Sequence, residues 1–193
     1  MEYITAQQST AYEITDPGAI TIPDVKEMAK SFSDGPNYYI RDKRSLCPSE
    51  VLTLFARYIQ GKHLSPELLY GPERDYASQT SGEIEAGILA NAVLEQYSTV
   101  LGFKQLPDYY QIGDNRINPV DMFCTLKMAI EMNLSREDMI EPSIGKGRLV
   151  CMDHINNTND WGKSWVVFPE NIDVSNILRL AQLQTWTLKP ALY

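Results

Sequence analysis

Long apolar runs are missing from this chain. No window approaches the ~18 consecutive apolar residues that a membrane-crossing helix needs, so no membrane insertion is expected. A basic excess is missing too. Seventeen Lys and Arg stand against 25 Asp and Glu, a formal net charge of −8 over 193 residues. That sign is wrong for a protein that tracks phosphates unless basic residues cluster locally, and nucleic acid is not an expected partner. Histidine is scarce, with two residues, and the three cysteines, Cys47, Cys124 and Cys151, form no Cys-x-x-Cys pair and cannot all pair with one another. No metal site and no cofactor are expected from such a set, and the thiols read as core or buried-boundary residues in a reducing setting. The first residues, "MEYITAQQSTAYEITDPG", hold no basic segment leading into an apolar stretch. They do not read as a secretory signal.

What is present is a globular composition, 44% apolar and 22% charged, and a device used more than once. Pro36–Pro48, "PNYYIRDKRSLCP", lies over Pro107–Pro119, "PDYYQIGDNRINP", at an offset of 71, sharing both prolines and both tyrosines. Lys163–Val174, "KSWVVFPENIDV", is a degraded third copy with Trp165 in place of the first tyrosine. Each copy reads as two short extended pieces about a turn, since aromatic and β-branched residues meet turn formers such as Gly113-Asp114-Asn115.

A helix start follows each hairpin. Asn118 is placed to cap, with Pro119 at the first helical position and Asp121 in the first turn; Cys47-Pro48-Ser49-Glu50 keeps the proline and the acid, and Asp173 precedes the third helix. Apolar stripes then run through Val51, Leu54, Phe55, Tyr58 and Ile59, through Met122, Phe123, Leu126, Ala129 and Ile130, and through Ile177, Leu178, Ala181 and Leu183. A further helix is expected before each hairpin: one opened by Ile22-Pro23-Asp24, one from Ser81 to near Gly102 with Tyr97 on its apolar face, and a short one over Leu149–Ile155. The expected fold is mainly α with short β-hairpins, an α+β chain of three tandem helix–hairpin–helix repeats packed into one elongated body. Residues 1–18 form an N-terminal extension, 19–73 the first repeat, 81–142 the second and 147–193 a degenerate third. Units this small cannot close a core alone, so neighbours should pack together.

The segments "GPNYYIRDKRSLCPSEVLTLFARYI" (Gly35–Ile59) and "LPDYYQIGDNRINPVDMFCTLKMAI" (Leu106–Ile130) resemble the pseudomurein-binding repeat of methanogen surface proteins and of the lytic enzymes of their viruses. The third copy matches less well, lacking the Leu-Pro and the final Ala-Ile. The resemblance implies non-catalytic attachment to pseudomurein, an archaeal wall polymer of amino sugars, talosaminuronic acid and short peptides. It implies an extracellular, wall-associated place and, as further partners, a lytic catalytic domain or a virion protein. The transglutaminase-like domain that follows such repeats in viral endoisopeptidases is not found in this sequence.

Neighbours in a strand face opposite ways, so one ring of Tyr38-Tyr39 and one of Tyr109-Tyr110 should be core and the other exposed. The candidate binding residues are therefore Tyr38, Tyr39, Tyr109, Tyr110 and Trp165 as ring faces, with Arg41, Arg44 and Arg116 as partners for uronate or glutamate carboxylates. No catalytic residue is expected. Cys151, Asp153 and His154 are too close in sequence to face one another as a triad, and His63 reads as a loop residue. Nothing fixes the separation of Asp108 from Asp114, or of Glu83 from Glu85, that a glycosidase pair would need. The rival expectation is an assembly protein of a virion or surface layer whose repeat faces contact other subunits.

Overall fold

The computed structural model describes residues 19–41, 43–100, 102–154, 173 and 175–191. Its helix starts follow the capping chemistry. In α1 (Ile22–Lys30) the Thr21 N–H donates to Asp24 Oδ2 at 2.8 Å while Asp24 N–H donates back to Thr21 Oγ1, a closed capping box with Pro23 in the first turn. In α2 (Pro48–Ile59) Glu50 takes the Cys47 N–H at 2.8 Å, and in α4 (Pro119–Glu131) Asn118 Oδ1 takes the Asp121 N–H at 2.8 Å. These orphan donors of the first turn are thus satisfied from side chains three residues away.

The two described copies of the repeated hairpin share one register. β1 (Tyr39–Arg41) pairs with β2 (Arg44–Leu46) so that Tyr39 faces Leu46, and β6 (Tyr110–Ile112) pairs with β7 (Asn115–Ile117) so that Tyr110 faces Ile117. Tyr39 and Tyr110 turn inward and are buried, whereas Tyr38 and Tyr109, expected to be exposed, stand just before the strands and are half-buried. The chain is an α+β fold whose sheets are antiparallel strand pairs. The expected third hairpin, 163–174, lies almost wholly outside the described residues, while α5 (Ser175–Gln184) and a 3-10 turn at Thr185–Thr187 stand where its helix was expected.

One core joins the two units. α2 is buried nearly all round: besides the expected stripe, Ser49, Leu52, Thr53 and Ala56 are closed off. It packs against α1, against α3 (Ala86–Glu95), against α4 and against the 185–187 turn. The packing is crossed, with α1 lying more extensively on α4, and α2 on α3, than on the other helix of its own unit. At the centre Phe123 meets Phe55 and Phe32 with ring centroids 5.2 Å from each. The polar residues of α2 are used as well. Ser49 Oγ accepts the Leu69 N–H at 3.1 Å and Thr53 Oγ1 the Glu67 N–H at 3.0 Å, and in α4 Thr125 Oγ1 accepts the Ser143 N–H at 2.9 Å. Hydroxyls on the helix backs thereby hold the segment that follows each helix.

Two expectations fail here. The helix expected from Ser81 to near Gly102 is only α3, because Ser98-Thr99-Val100 forms β4 and folds back on β5 (Phe103–Gln105). β-branched side chains favour the strand, and Gly102, at φ +84°, makes the turn that other residues resist. Ile84, expected on a helix face, instead pairs in β3 (Ile84–Glu85) with Ile140 of β8 (Met139–Ile140). The short helix expected at Leu149–Ile155 is a 3-10 segment, Val150–His154. It is reached by residues that cross the first hairpin's approach: Arg148 N–H donates to Asp34 O and Val150 N–H to Pro36 O, both at 2.9 Å. Gly35, at φ +121°, allows this crossing, since a Cβ there would collide with the Arg148 backbone.

Phe123→Ala should cost about 3–5 kcal/mol, the range for a large aromatic lost from a packed core. Because the core is shared, thermal unfolding followed by circular dichroism should remain one transition at lower temperature. A separate early transition confined to one unit would contradict the shared core.

Candidate functional site

On the first hairpin the expected basic patch is engaged by the chain itself. Arg41 ion-pairs with Glu27 of α1, and Arg44 Nη1 lies 3.8 Å from Asp24 Oδ2. The hydrogen bond with Glu27 holds the Arg41 guanidinium above its ordinary value. Asp24 sits below the usual carboxylate range, chiefly through the Thr21 hydrogen bonds and to a smaller degree through Arg44. The carboxylates these arginines were expected to take from a ligand are supplied by α1. Tyr39 is also removed from the candidate set, because its ring is packed 6.3 Å from Phe32 inside the core. Tyr38 remains, half-buried, its ring 5.8 Å from that of exposed His154.

The second hairpin is different. Tyr110 is fully buried and leaves the candidate set for the same reason as Tyr39; burial pushes its phenol far above the ordinary value, and its hydroxyl has no hydrogen-bond partner among the described residues. Tyr109 is half-buried and meets the exposed ring of Tyr76 edge to face, centroids 5.5 Å apart and planes at 79°. The exposed Arg116 lays its guanidinium 5.1 Å from the Tyr109 ring centre while its Nε donates to Gln111 Oε1 at 3.3 Å. Among the described residues no carboxylate pairs with it. On the far side of Tyr76, the Tyr76 side chain holds the Arg74 guanidinium above its ordinary range by a hydrogen bond, with Asp108 adding to the effect. The result is an exposed edge running Arg74, Tyr76, Tyr109, Arg116.

This edge depends on residues 72–81, of which 74–80 fall between the first two expected repeats. They form a strap across the hairpin: Gln79 exchanges both backbone hydrogen bonds with Arg116 at 2.7 and 2.8 Å, and the Arg74 N–H donates to Asp108 Oδ1 at 2.9 Å. Asp121, buried at the start of α4, fastens the strap. Its Oδ2 accepts from Ser78 Oγ at 2.5 Å and from Asn118 Nδ2 at 2.9 Å, and its Oδ1 accepts the Gly145 N–H at 2.8 Å. The first hairpin has a matching arrangement. Asn37, in register with Asp108, accepts from Cys151 Sγ at 3.2 Å, and Glu50, in register with Asp121, is held by Lys189 Nζ at 2.9 Å. A ring contact recurs with it: Tyr76 meets Tyr109 edge to face at 79°, and His154 meets Tyr38 tilted at 34°. In the sequence, "DYASQT" and "DHINNT" lie at an offset of 78, which sets Tyr76 against His154.

Other sequence candidates stay apart. Cys151 is buried, and burial pushes its thiol up to about 11; Asp153 is committed to Arg148 through two hydrogen bonds of 2.7 and 2.8 Å; His154 lies on Tyr38. The three side chains face different partners and form no relay. Asp114 is an exposed turn residue, while Asp108 is tied to the strap. Among the described residues no group of three or more His, Cys, Asp or Glu is placed to hold a metal ion. Trp165 lies outside the described residues. Comparison of the chain with protein-family models, with curated proteins and with solved structures gave no match.

Asp121→Ala should destabilise the fold by about 1.5–3 kcal/mol, the range for hydrogen bonds to a charged group. It should also free the strap selectively. Trypsin cleavage after Arg74 should accelerate relative to cleavage after Lys62, whose loop Asp121 does not touch; equal acceleration at both sites would show that Asp121 acts on global stability alone.

Proposed function

We propose that the chain is a non-catalytic module that binds pseudomurein through hairpin-plus-helix repeats, with the outer edge of the second hairpin as its main contact. The observation that carries this reading is the arrangement at Tyr109: two rings set edge to face, and a guanidinium over one of them with no carboxylate partner among the described residues. A tyrosine face suits the apolar side of a sugar ring, and an arginine fork suits a uronate or glutamate carboxylate. In a protein of net charge −8, such a local cation is what lets an acidic polymer approach. The likeness to pseudomurein-binding repeats rests on Gly35–Ile59 and Leu106–Ile130, with the segment from Lys163 a weaker match, and it supplies the identity of the polymer.

Repetition supports the same reading. Tyr38 with His154 stands at the matching place of the first unit, and Lys163–Val174 is read as a third copy on sequence grounds. On a repetitive polymer each further contact acts at high effective concentration, so modest sites add into durable attachment. The module would work outside the cell, at the wall, alone or delivering a lytic domain or virion protein to it.

One observation favours an assembly role instead. The β4–β5 hairpin, which has no counterpart among the described residues of the first unit, carries Phe103 at 56% exposure against the ring of Tyr70, centroids 5.5 Å apart. Such apolar surface suits a protein partner. Self-association in size-exclusion chromatography without wall material, abolished by Phe103→Ser, would support that role.

Co-sedimentation with purified pseudomurein sacculi tests the binding reading. Tyr109→Ala and Arg116→Ala should each lower retention by about two- to tenfold, the worth of one aromatic or cation contact, while Lys62→Ala should leave it unchanged. Retention unaltered by Tyr109→Ala and Arg116→Ala together would remove the edge from the account.

A further inference from the structure

We infer that the chain carries a second ligand site, adjoining the tyrosine edge and sharing Arg74 and Tyr76 with it: a cleft that takes an aliphatic cation, as a lysine side chain within a peptide presents it. The cleft holds about 560 Å³ and opens between the strap, the start of α4, the loop at 144–149 and the turn at 185–187. That is room for a long side chain with its adjoining backbone. Its floor is apolar, made by half-buried Leu149, Met152 and Leu183 and by buried Trp186. Its rim is acidic, carrying Glu73, Asp75 and Asp108.

The basic residues nearby offset that rim only in part. Arg148 is held by Asp153 through two hydrogen bonds of 2.7 and 2.8 Å, and Arg74, hydrogen-bonded by the Tyr76 side chain, is one cation facing Asp108 and Glu73, with Asp75 a third acid on the same lining. Buried Asp121 adds a further negative charge beneath. The positive end of α4, which would otherwise invite an anion, is already occupied, since Asp121 N–H donates to Asn118 Oδ1 and Met122 N–H to Asn118 O. An anion meets repulsion here, and a neutral apolar guest leaves the rim unused. A methylene stem ending in an ammonium satisfies both surfaces, the stem on Leu149 and Met152 and the head at the carboxylates. The inference stands without the wall-binding reading, because it uses neither Tyr109 nor Arg116.

Titration of the ¹⁵N-labelled full chain with acetyl-Ala-Lys-Ala-amide, and with the norleucine analogue that lacks the ammonium, tests it. The lysine peptide should shift the amides of residues 73–76 and 149–152 saturably, and the norleucine peptide should bind at least about threefold more weakly. Glu73→Gln with Asp75→Asn, two exposed positions outside the core, should weaken the lysine peptide by a similar factor. Equal affinity for the two peptides, undiminished binding in the double variant, or no shift at these amides would overturn the inference.

Discussion

The packing of Phe123 against Phe55 and Phe32 is the contact on which the rest of the molecule depends. It lies where α1, α2 and α4 meet, so neither unit owns its own core. A pair of short helices with a two-stranded hairpin buries too little apolar surface to stand alone, and crossing the helices of two such units around α2 solves that shortage. The solution has a consequence for function. Among the described residues the inward rings of the repeated hairpins, Tyr39 and Tyr110, are consumed as core. Whatever the protein recognises must be met by outer faces and by the segments laid across them.

Much of this was legible in the sequence because it is local. Asn118-Pro119 and Ile22-Pro23-Asp24 specify helix starts within a few residues, and the Tyr-Tyr pairs specify which side of a strand faces in. What was not legible depends on distant partners. Nothing near Ser98-Thr99-Val100 announces that a strand will displace the end of a helix; the choice follows from Gly102 and from Tyr70 pairing beside Gln105. Residues 72–81 have the composition of a linker, and only the edge of β7 thirty-odd residues away makes them a strap. The same holds for charge. Arg41, Arg44 and Arg116 look alike in the sequence, and α1 separates them by bringing Glu27 and Asp24 to the first two.

The candidate surfaces therefore differ in kind from a catalytic centre built on neighbouring Cys, Asp and His. They are composite, each assembled from a hairpin and a strap, and fastened by an acid in the third position of the following helix. Asp121 and Glu50 serve as N-terminal helix partners and as anchors for distant chain at once. That double use ties recognition to folding: the rings at Tyr76 and Tyr109 keep their geometry only while the buried carboxylate holds the strap. On one face the molecule then offers a cation–aromatic edge next to an acidic, apolar-floored cleft, so that a polymer bearing both carboxylates and amines would find a complement to each.

Hydrogen exchange measured on the chain free and bound to pseudomurein sacculi, with bacterial murein sacculi as reference, addresses the central claim most directly. The account predicts new protection confined to residues 73–79 and 109–116 on pseudomurein alone, with the already protected amides of α2 unchanged. Equal protection on both polymers, or protection centred on residues 38–46 with none at the second hairpin, would contradict it.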